Sequence, residues 1–443
     1  MKNLKVLPLA LAVAASLASL STFAADSDVE ALEKRIQELE NRIDPNYVDD
    51  QQPAVLTPDI EIPYGVVFSG YARYGAHYQA GDQKYVMVDG SFNGSSAIGR
   101  LGNEGNGGEF QLAKAFKNDS GAIWDVVVMF DHWGDEVNLK KAYAGVTNVF
   151  ESQPNAYIWA GRDFHQRPQQ GINDYFWMMH DGQGGGINNL ELGSVKLDFG
   201  VVAAVENCSP EIVDPGSNPS ISCTGGAGTG DSGAYAFTSK LHGIDMGFAD
   251  LELYANYGFD SEAIDSSEHI DAYQLGAVIS RAHDSGSNRL VLRYSDNADN
   301  GVFWKTEDLT TIYASFEGNA DLGEKAAIEY LLAYHDYSVD ASSAVEDERT
   351  NYSAIVRPMY FWNDAHSTWL EAGYQMVDYA RADDDNTGWK VTLSQNISFD
   401  WGAGARPMLR FYATVGEVDN KATGINDPKQ DTVSLGAMWE AWW

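Results

Sequence analysis

Two short stretches at opposite ends of the chain carry the residues best suited to chemistry. Near the start, Tyr71 and Arg73 stand two residues apart, and at the end Glu440 and Trp442 do the same. Side chains two apart in an extended strand share one face. Tyr71 and Trp442 thus offer aromatic planes, Arg73 sets a charge beside the first with Ser69 on the same face, and Glu440 shares the face of Trp442. Aromatic faces pack on apolar C–H surface, while charged groups beside them exchange hydrogen bonds with hydroxyls. Such a face suits a polyhydroxylated ring, the alternative being that these side chains are ordinary fillers of an interior.

Residues for bond-making chemistry do not stand out. No catalytic carboxylate pair can be singled out among 64 acidic residues. His132, His165, His180 and His335 lack metal-ligand spacing such as His-Glu-x-x-His. The run Gly182-Gln183-Gly184-Gly185-Gly186 lacks the Lys-Ser/Thr ending of a phosphate loop. Asp383-Asp384-Asp385 reads as a solvated loop rather than a calcium site. The expectation is no catalytic residue, no metal and no cofactor. A net charge of −35 also disfavours nucleic acid, whose phosphates need a basic footprint.

The N-terminus reads as an export signal over residues 1–24. Lys2 and Lys5 precede an apolar run from Val6 to Leu20, and Thr22-Phe23-Ala24 offers a small-residue cleavage site. Over residues 26–44, Val29, Leu32, Ile36, Leu39 and Ile43 recur at spacings of three and four, a heptad seam that predicts a short coiled coil. Its seam chemistry favours dimers, whereas a barrel that sets the stoichiometry would make a trimer; the expectation here is a homotrimer. Residues 45–64, with Pro45, Pro53, Pro58 and Pro63, read as an extended linker. Cys208 and Cys223 sit in a Pro/Gly/Ser-rich stretch, and outside the cytoplasm they are expected to pair and staple one loop.

From residue 65 to 443 the pattern is all-β. Leu251, Leu253, Ala255, Tyr257 and Phe259 alternate with Glu252, Tyr254 and Asn256; Leu409, Phe411, Ala413 and Val415 alternate with Arg410, Tyr412 and Thr414. The same holds for Val195–Ala203 and for Leu370–Met376. Short segments with one apolar and one polar face are the signature of a transmembrane barrel. The last strand puts Val433, Leu435, Ala437, Trp439, Ala441 and Trp443 on the lipid side, so Glu440 and Trp442 point into the lumen. In the first strand Phe68, Gly70, Ala72, Tyr74 and Ala76 point outward, leaving Tyr71 and Arg73 inside. Closing a barrel makes its first and last strands neighbours, which would bring Tyr71 and Trp442 together on one wall.

The chain resembles the maltoporin and sucrose-porin family of carbohydrate channels. The resemblance rests on Gly70-Tyr71-Ala72-Arg73, Arg100-Leu101-Gly102-Asn103-Glu104, Ile158-Trp159-Ala160-Gly161-Arg162 with Gln166-Arg167, Arg357-Pro358-Met359-Tyr360, Ala405-Arg406-Pro407 with Arg410, and Trp442-Trp443. It implies an 18-stranded antiparallel barrel in the outer membrane of a Gram-negative bacterium, trimeric, with an aromatic row and a polar track for sugar. It carries Tyr71 and Trp442 onto the aromatic row. Trp133 stands where the family has a loop tryptophan that reaches a neighbouring subunit's pore, although the loop is shorter here. Trp401 lies three residues before another aromatic of the row. Arg73, Arg100, Arg167 and Asp174 match the polar track, and Lys140 stands in place of an arginine.

The chain also departs from that pattern. Gly105-Asn106-Gly107-Gly108-Glu109 lacks the constriction tyrosine, Gln169 replaces an aspartate and Phe176 a tyrosine. The pore's narrowest part has changed chemistry, so sucrose, β-glucosides or a marine oligosaccharide stand beside maltodextrin as cargo. The expectation is passive, binding-assisted diffusion of an oligosaccharide across the outer membrane. A general diffusion porin, a surface adhesin and a secreted glycan-active enzyme are the rival readings.

Overall fold

A computed structural model describes residues 65–205, 211–212, 221–222, 233–260, 269–339, 348–380, 384–423 and 428–443. The expected signal peptide, coiled coil, linker and Cys208–Cys223 pair lie outside the described residues, as does Asp383 of the acidic run.

Eighteen strands form one antiparallel sheet closed on itself. They are β1 (Val66–Gln79), β2 (Gly107–Lys117), β3 (Ile123–Asp131), β4 (Asn138–Thr147), β5 (Tyr157–Asp163) and β6 (Gly182–Leu192). Then come β7 (Val195–Ala204), β8 (Ala234–Asp245), β9 (Asp250–Asp260), β10 (Ala272–His283), β11 (Gly286–Asp296) and β12 (Leu309–Asp321). The last six are β13 (Ala326–Val339), β14 (Arg349–Phe361), β15 (His366–Tyr379), β16 (Asn386–Ser398), β17 (Met408–Asn420) and β18 (Lys429–Trp442). Each strand pairs with the next, and β18 returns to pair with β1, with Tyr71 opposite Trp442 and Arg73 opposite Glu440. Closure leaves no edge, so the ladder satisfies the backbone without water.

The side chains are distributed inside out. Along β17, Leu409, Phe411 and Val415 are exposed while Arg410, Tyr412 and Thr414 are buried. In β16, Trp389 and Leu393 face out and Lys390, Thr392 and Ser394 are hidden. Water would not tolerate so continuous an apolar exterior; a hydrocarbon surround makes it the stable arrangement. Exposed aromatics gather in two belts. Phe68, Phe116, Trp124, Tyr360 and Trp443 ring one rim; Tyr78, Tyr273, Tyr352, Tyr374 and Trp389 ring the other. Alternate connections differ in length: those at the first rim run from two to nine residues, those at the second from six to twenty-nine.

Long connections turn into the lumen. Residues 80–106 enter between Glu371 and Asn351: the Leu101 amide donates to Glu371 Oε1 at 2.9 Å, and the Phe92 amide donates to Asn351 Oδ1 at 3.2 Å. Residues 164–181 run against the inner wall of β9–β14. There Trp177, Met178 and Tyr175 pack with Val278, Val291, Tyr313, Leu331 and Ile355 in a buried cluster. Residues 297–308 cover them in turn, with the Met179 amide donating to the Asn300 carbonyl at 2.7 Å.

Candidate functional site

The seam between β1 and β18 holds the aromatic groups. The Tyr71 ring stacks on Trp442, centroids 6.4 Å apart and planes at 24°, and lies 6.5 Å from Trp133. Guanidinium groups flank this row. Arg73 lies 5.2 Å from the Trp133 ring, and Arg406 lies 4.3 Å from the Trp442 ring. Strand pairing explains the core of the arrangement: Tyr71 and Trp442 are register partners with inward parity. Trp133 comes from a short 3-10 turn between β3 and β4.

A charge network runs beneath the rings. Arg73 Nη1 donates to Asp174 Oδ2 at 2.9 Å, and Arg100 Nη1 donates to Asp174 Oδ1 at 3.1 Å. The carboxylate of Glu440 is fully buried and shared. It accepts from Tyr71 Oη at 2.9 Å, from Arg100 at 2.5 Å, from Arg406 at 2.6 Å and from Arg410 at 3.0 Å. Arg410 also donates to Glu104 Oε1 at 2.7 Å. Burial pushes the Asp174 carboxyl up, but the Arg100 and Arg73 charges outweigh it and hold the group below the usual carboxylate range. A second buried carboxylate, Glu371, takes Arg357 at 2.6 Å and Lys390 at 3.0 Å and anchors the inbound loop. Paired in this way, buried charges are held in fixed geometry rather than left as costly orphans.

Arg167 and Lys140 belong to a separate group. The Arg167 guanidinium is clamped between Phe164 and Phe176, 4.0 and 3.9 Å from the ring centroids, with Nε 3.3 Å from Asp181. Lys140 pairs with Asp131 at 2.9 Å, beside the Lys141–Asp163 pair at 3.1 Å. Burial pushes the Asp181 carboxyl up to about 6, partly offset by the Arg167 and Lys141 charges. The structure thus brings Tyr71, Trp133, Trp442, Arg73, Arg100 and Asp174 into one site, and Lys140 and Arg167 into its neighbour.

Trp401 stands apart from both. It lies in the connection 399–407 against Phe361, 4.7 Å between centroids. Phe361 packs with Trp369, Leu101 and Met408. Trp369 lies under Arg406 and Arg410, so Trp401 reaches the seam only through these intermediates.

Sequence reasoning did not assign roles to Glu104, Trp369, Arg406 or Arg410, and read Glu440 only as inward-facing. A signal was available for some of them. Arg410 and Trp369 have inward parity, and one carboxylate opposite Arg73 in a closing register is a natural counter-ion. The histidines without metal spacing are loop anchors: His165 bonds Thr238 at 2.6 Å, and His180 Nε2 accepts from the Val302 amide at 3.3 Å. Burial holds them down to about 4 and about 3 respectively, so both are neutral at pH 7.

The chain is similar to several known proteins. A model of the LamB porin family matches residues 66–443. A maltoporin of Vibrio cholerae serotype O1 (El Tor Inaba N16961) is 28% identical over 430 residues, covering 86% of this chain and 95% of its own. A maltoporin of the Classical Ogawa 395 strain has the same identity and covers 94% of its own length. Among solved structures, Pseudomonas aeruginosa OpdQ aligns with a TM-score of 0.46 at 14% identity, covering 86% of this chain and 98% of that one.

Proposed function

The chain belongs to the LamB porin family, and from that premise we propose that it passes oligosaccharides by binding-assisted diffusion along the Trp133–Tyr71–Trp442 row. It is an outer-membrane channel rather than an enzyme. In such barrels short turns face the periplasm and long loops face outside, so the seam is approached from the rim that carries residues 80–106 and 164–181.

The observation that carries the reading is the juxtaposition of stacked rings with immobilised guanidinium and carboxylate groups. A pyranose offers an apolar face to rings and an equatorial rim of hydroxyls to charged groups. Each ring contact contributes roughly 1 kcal/mol, and each hydrogen bond about 1 kcal/mol net. A total of about 4 kcal/mol corresponds to a dissociation constant of about 1 mM, loose enough for release at the far side. Arg73, Arg100 and Asp174 would trade hydroxyl hydrogen bonds as the sugar moves over the rings. Arg167, made rigid by its two phenylalanines, and Lys140 would serve the approach. Trp401 would meet the sugar at the periplasmic exit.

Assembly into trimers is part of the proposal. Outward positions of β4 and β5 include Ala142, Ala144 and Ala160, and small residues let neighbouring walls approach closely.

Planar-bilayer conductance with sugars titrated in tests the reading. Saturable block by an oligosaccharide, in steps of three, is the expected result. Conductance indifferent to every sugar would instead favour a general diffusion porin, whose eyelet the Arg73–Asp174–Arg100 network also resembles.

A further inference from the structure

The run Gly105-Asn106-Gly107-Gly108 ends the long connection 80–106 and begins β2, and the structure puts a tryptophan against it. An ideal Cβ at Gly107 would lie 2.3 Å from Trp133 Cε3 and 2.7 Å from Cδ2. Its φ of 149° is one that L side chains rarely adopt. The run is tied down on both sides. Asn106 brackets Gly75, accepting from its amide at 2.9 Å and donating to its carbonyl at 3.0 Å. Arg73 Nε donates to the Gly105 carbonyl at 3.0 Å, and the His132 amide donates to the Gly108 carbonyl at 2.9 Å. His132 is itself held to Tyr74 Oη at 2.7 Å. Trp133 is thus rooted by the residue before it and seated on a glycine.

The turn that carries Trp133 is also short. It spans residues 132–137, between Asp131 and Asn138, which are register partners. Out and back, about three residues at roughly 3.4 Å each give a reach of about 10 Å. Within this reach Trp133 meets Tyr71 of its own chain, ring centroids 6.5 Å apart.

We propose that Gly107 is a specificity-determining position: by its missing side chain it seats the chain's own Trp133 over Arg73, completing the aromatic row within one chain. This rests on the sugar-channel reading and adds to it the residue that positions the outermost ring. A pore with a side chain at 107 would lose that ring and keep the other two.

The test is bilayer conductance of the full-length protein with maltodextrins and sucrose as probes, the open-channel conductance serving to show that the barrel has assembled. Trp133→Ala is expected to weaken block five- to tenfold. Gly107→Ala is expected to weaken it to the same extent, and the double variant no further. Gly107→Ala combined with the shorter ring of Trp133→Phe is expected to recover part of the block, which a general loss of structure would not. Asn106→Ala, which frees the run without adding bulk, is expected to weaken block two- to fivefold. Wild-type block in Gly107→Ala or in Trp133→Ala would overturn the proposal and leave the sugar-channel reading standing. Co-refolding Trp133→Ala chains with Trp442→Ala chains is expected to yield no pore of wild-type affinity. A wild-type fraction would mean that Trp133 serves a neighbouring pore, and would also overturn it. A wild-type protein blocked by no oligosaccharide, β-glucosides included, would remove the sugar-channel reading and this inference together.

Discussion

Two walls of one lumen follow the same strand alternation and end in opposite chemistry. On β1 and β15–β18 several inward residues are charged: Arg73, Glu371, Lys390, Arg410 and Glu440. On β10–β14 several inward positions are apolar: Val278, Val291, Leu331 and Ile355. The difference lies in what covers them. Residues 172–178 lie on the second wall and convert it into a conventional core, whereas residues 99–101 meet the first wall through hydrogen bonds to Lys390 and Glu371 and leave Tyr71 and Trp442 half-buried at the seam. Inward parity therefore says only that a residue faces the lumen. Whether it meets water or a folded loop is decided by segments far away in sequence.

That contrast can be broken by mutation, most severely at the shared carboxylate. Glu440→Ala strands Arg100, Arg406 and Arg410 around a vacated, buried position. Removing one partner of a buried ion pair costs about 3–5 kcal/mol. The expected outcome is a large drop in the urea midpoint of the detergent-folded barrel, together with loss of sugar block. On the opposite wall, Leu331→Ala empties part of the covered core at a cost of about 3 kcal/mol. It should lower the same midpoint while sugar block stays within twofold of wild type. A comparable loss of block would mean that the covered wall also handles cargo. Trp442→Ala is the converse case. It should weaken block about tenfold, equivalent to about 1.4 kcal/mol, and shift the unfolding midpoint less than Leu331→Ala does. Undiminished block would take Trp442 out of the row.

The smallest expected effect is a protonation. The Asp181 carboxyl is raised to about 6 by burial. Above that pH it is charged beside Arg167; below it the group binds a proton and the lumen gains one positive charge. Between pH 7 and pH 5 the reversal potential under a salt gradient should move a few millivolts toward anion preference. Asp181→Asn should abolish the shift, and a shift that survives would place the titrating group elsewhere.

Much of this was legible in the sequence, for reasons that also mark where legibility stopped. The β17 run Leu409–Val415 announces its two faces because lipid and lumen demand different side chains at alternate positions. The meeting of Tyr71 with Trp442 follows from parity plus closure, two local rules and one topological one. Glu440 was visible as inward-facing, but its three arginine partners come from two connections and a strand, and no periodicity links Arg100 to residue 440. Trp133 illustrates a third limit. Its position matched the family's pattern, yet its turn is only residues 132–137, and the glycine run that it packs against reads in isolation merely as a missing tyrosine. Trp401 carried the weakest positional signal, and it stands furthest from the row.

The ladder between β1 and β18 also bears on how such a channel comes into being. Tyr71 and Trp442 are 371 positions apart, so the row they share cannot exist while the chain is still emerging from a translocon. A nascent or clipped chain lacking its final strand would keep an open edge and lack the Tyr71–Trp442 pair. Sealing the wall and pairing the two rings are thus one event, and a cell that degrades unsealed barrels removes at the same stroke every copy without the pair.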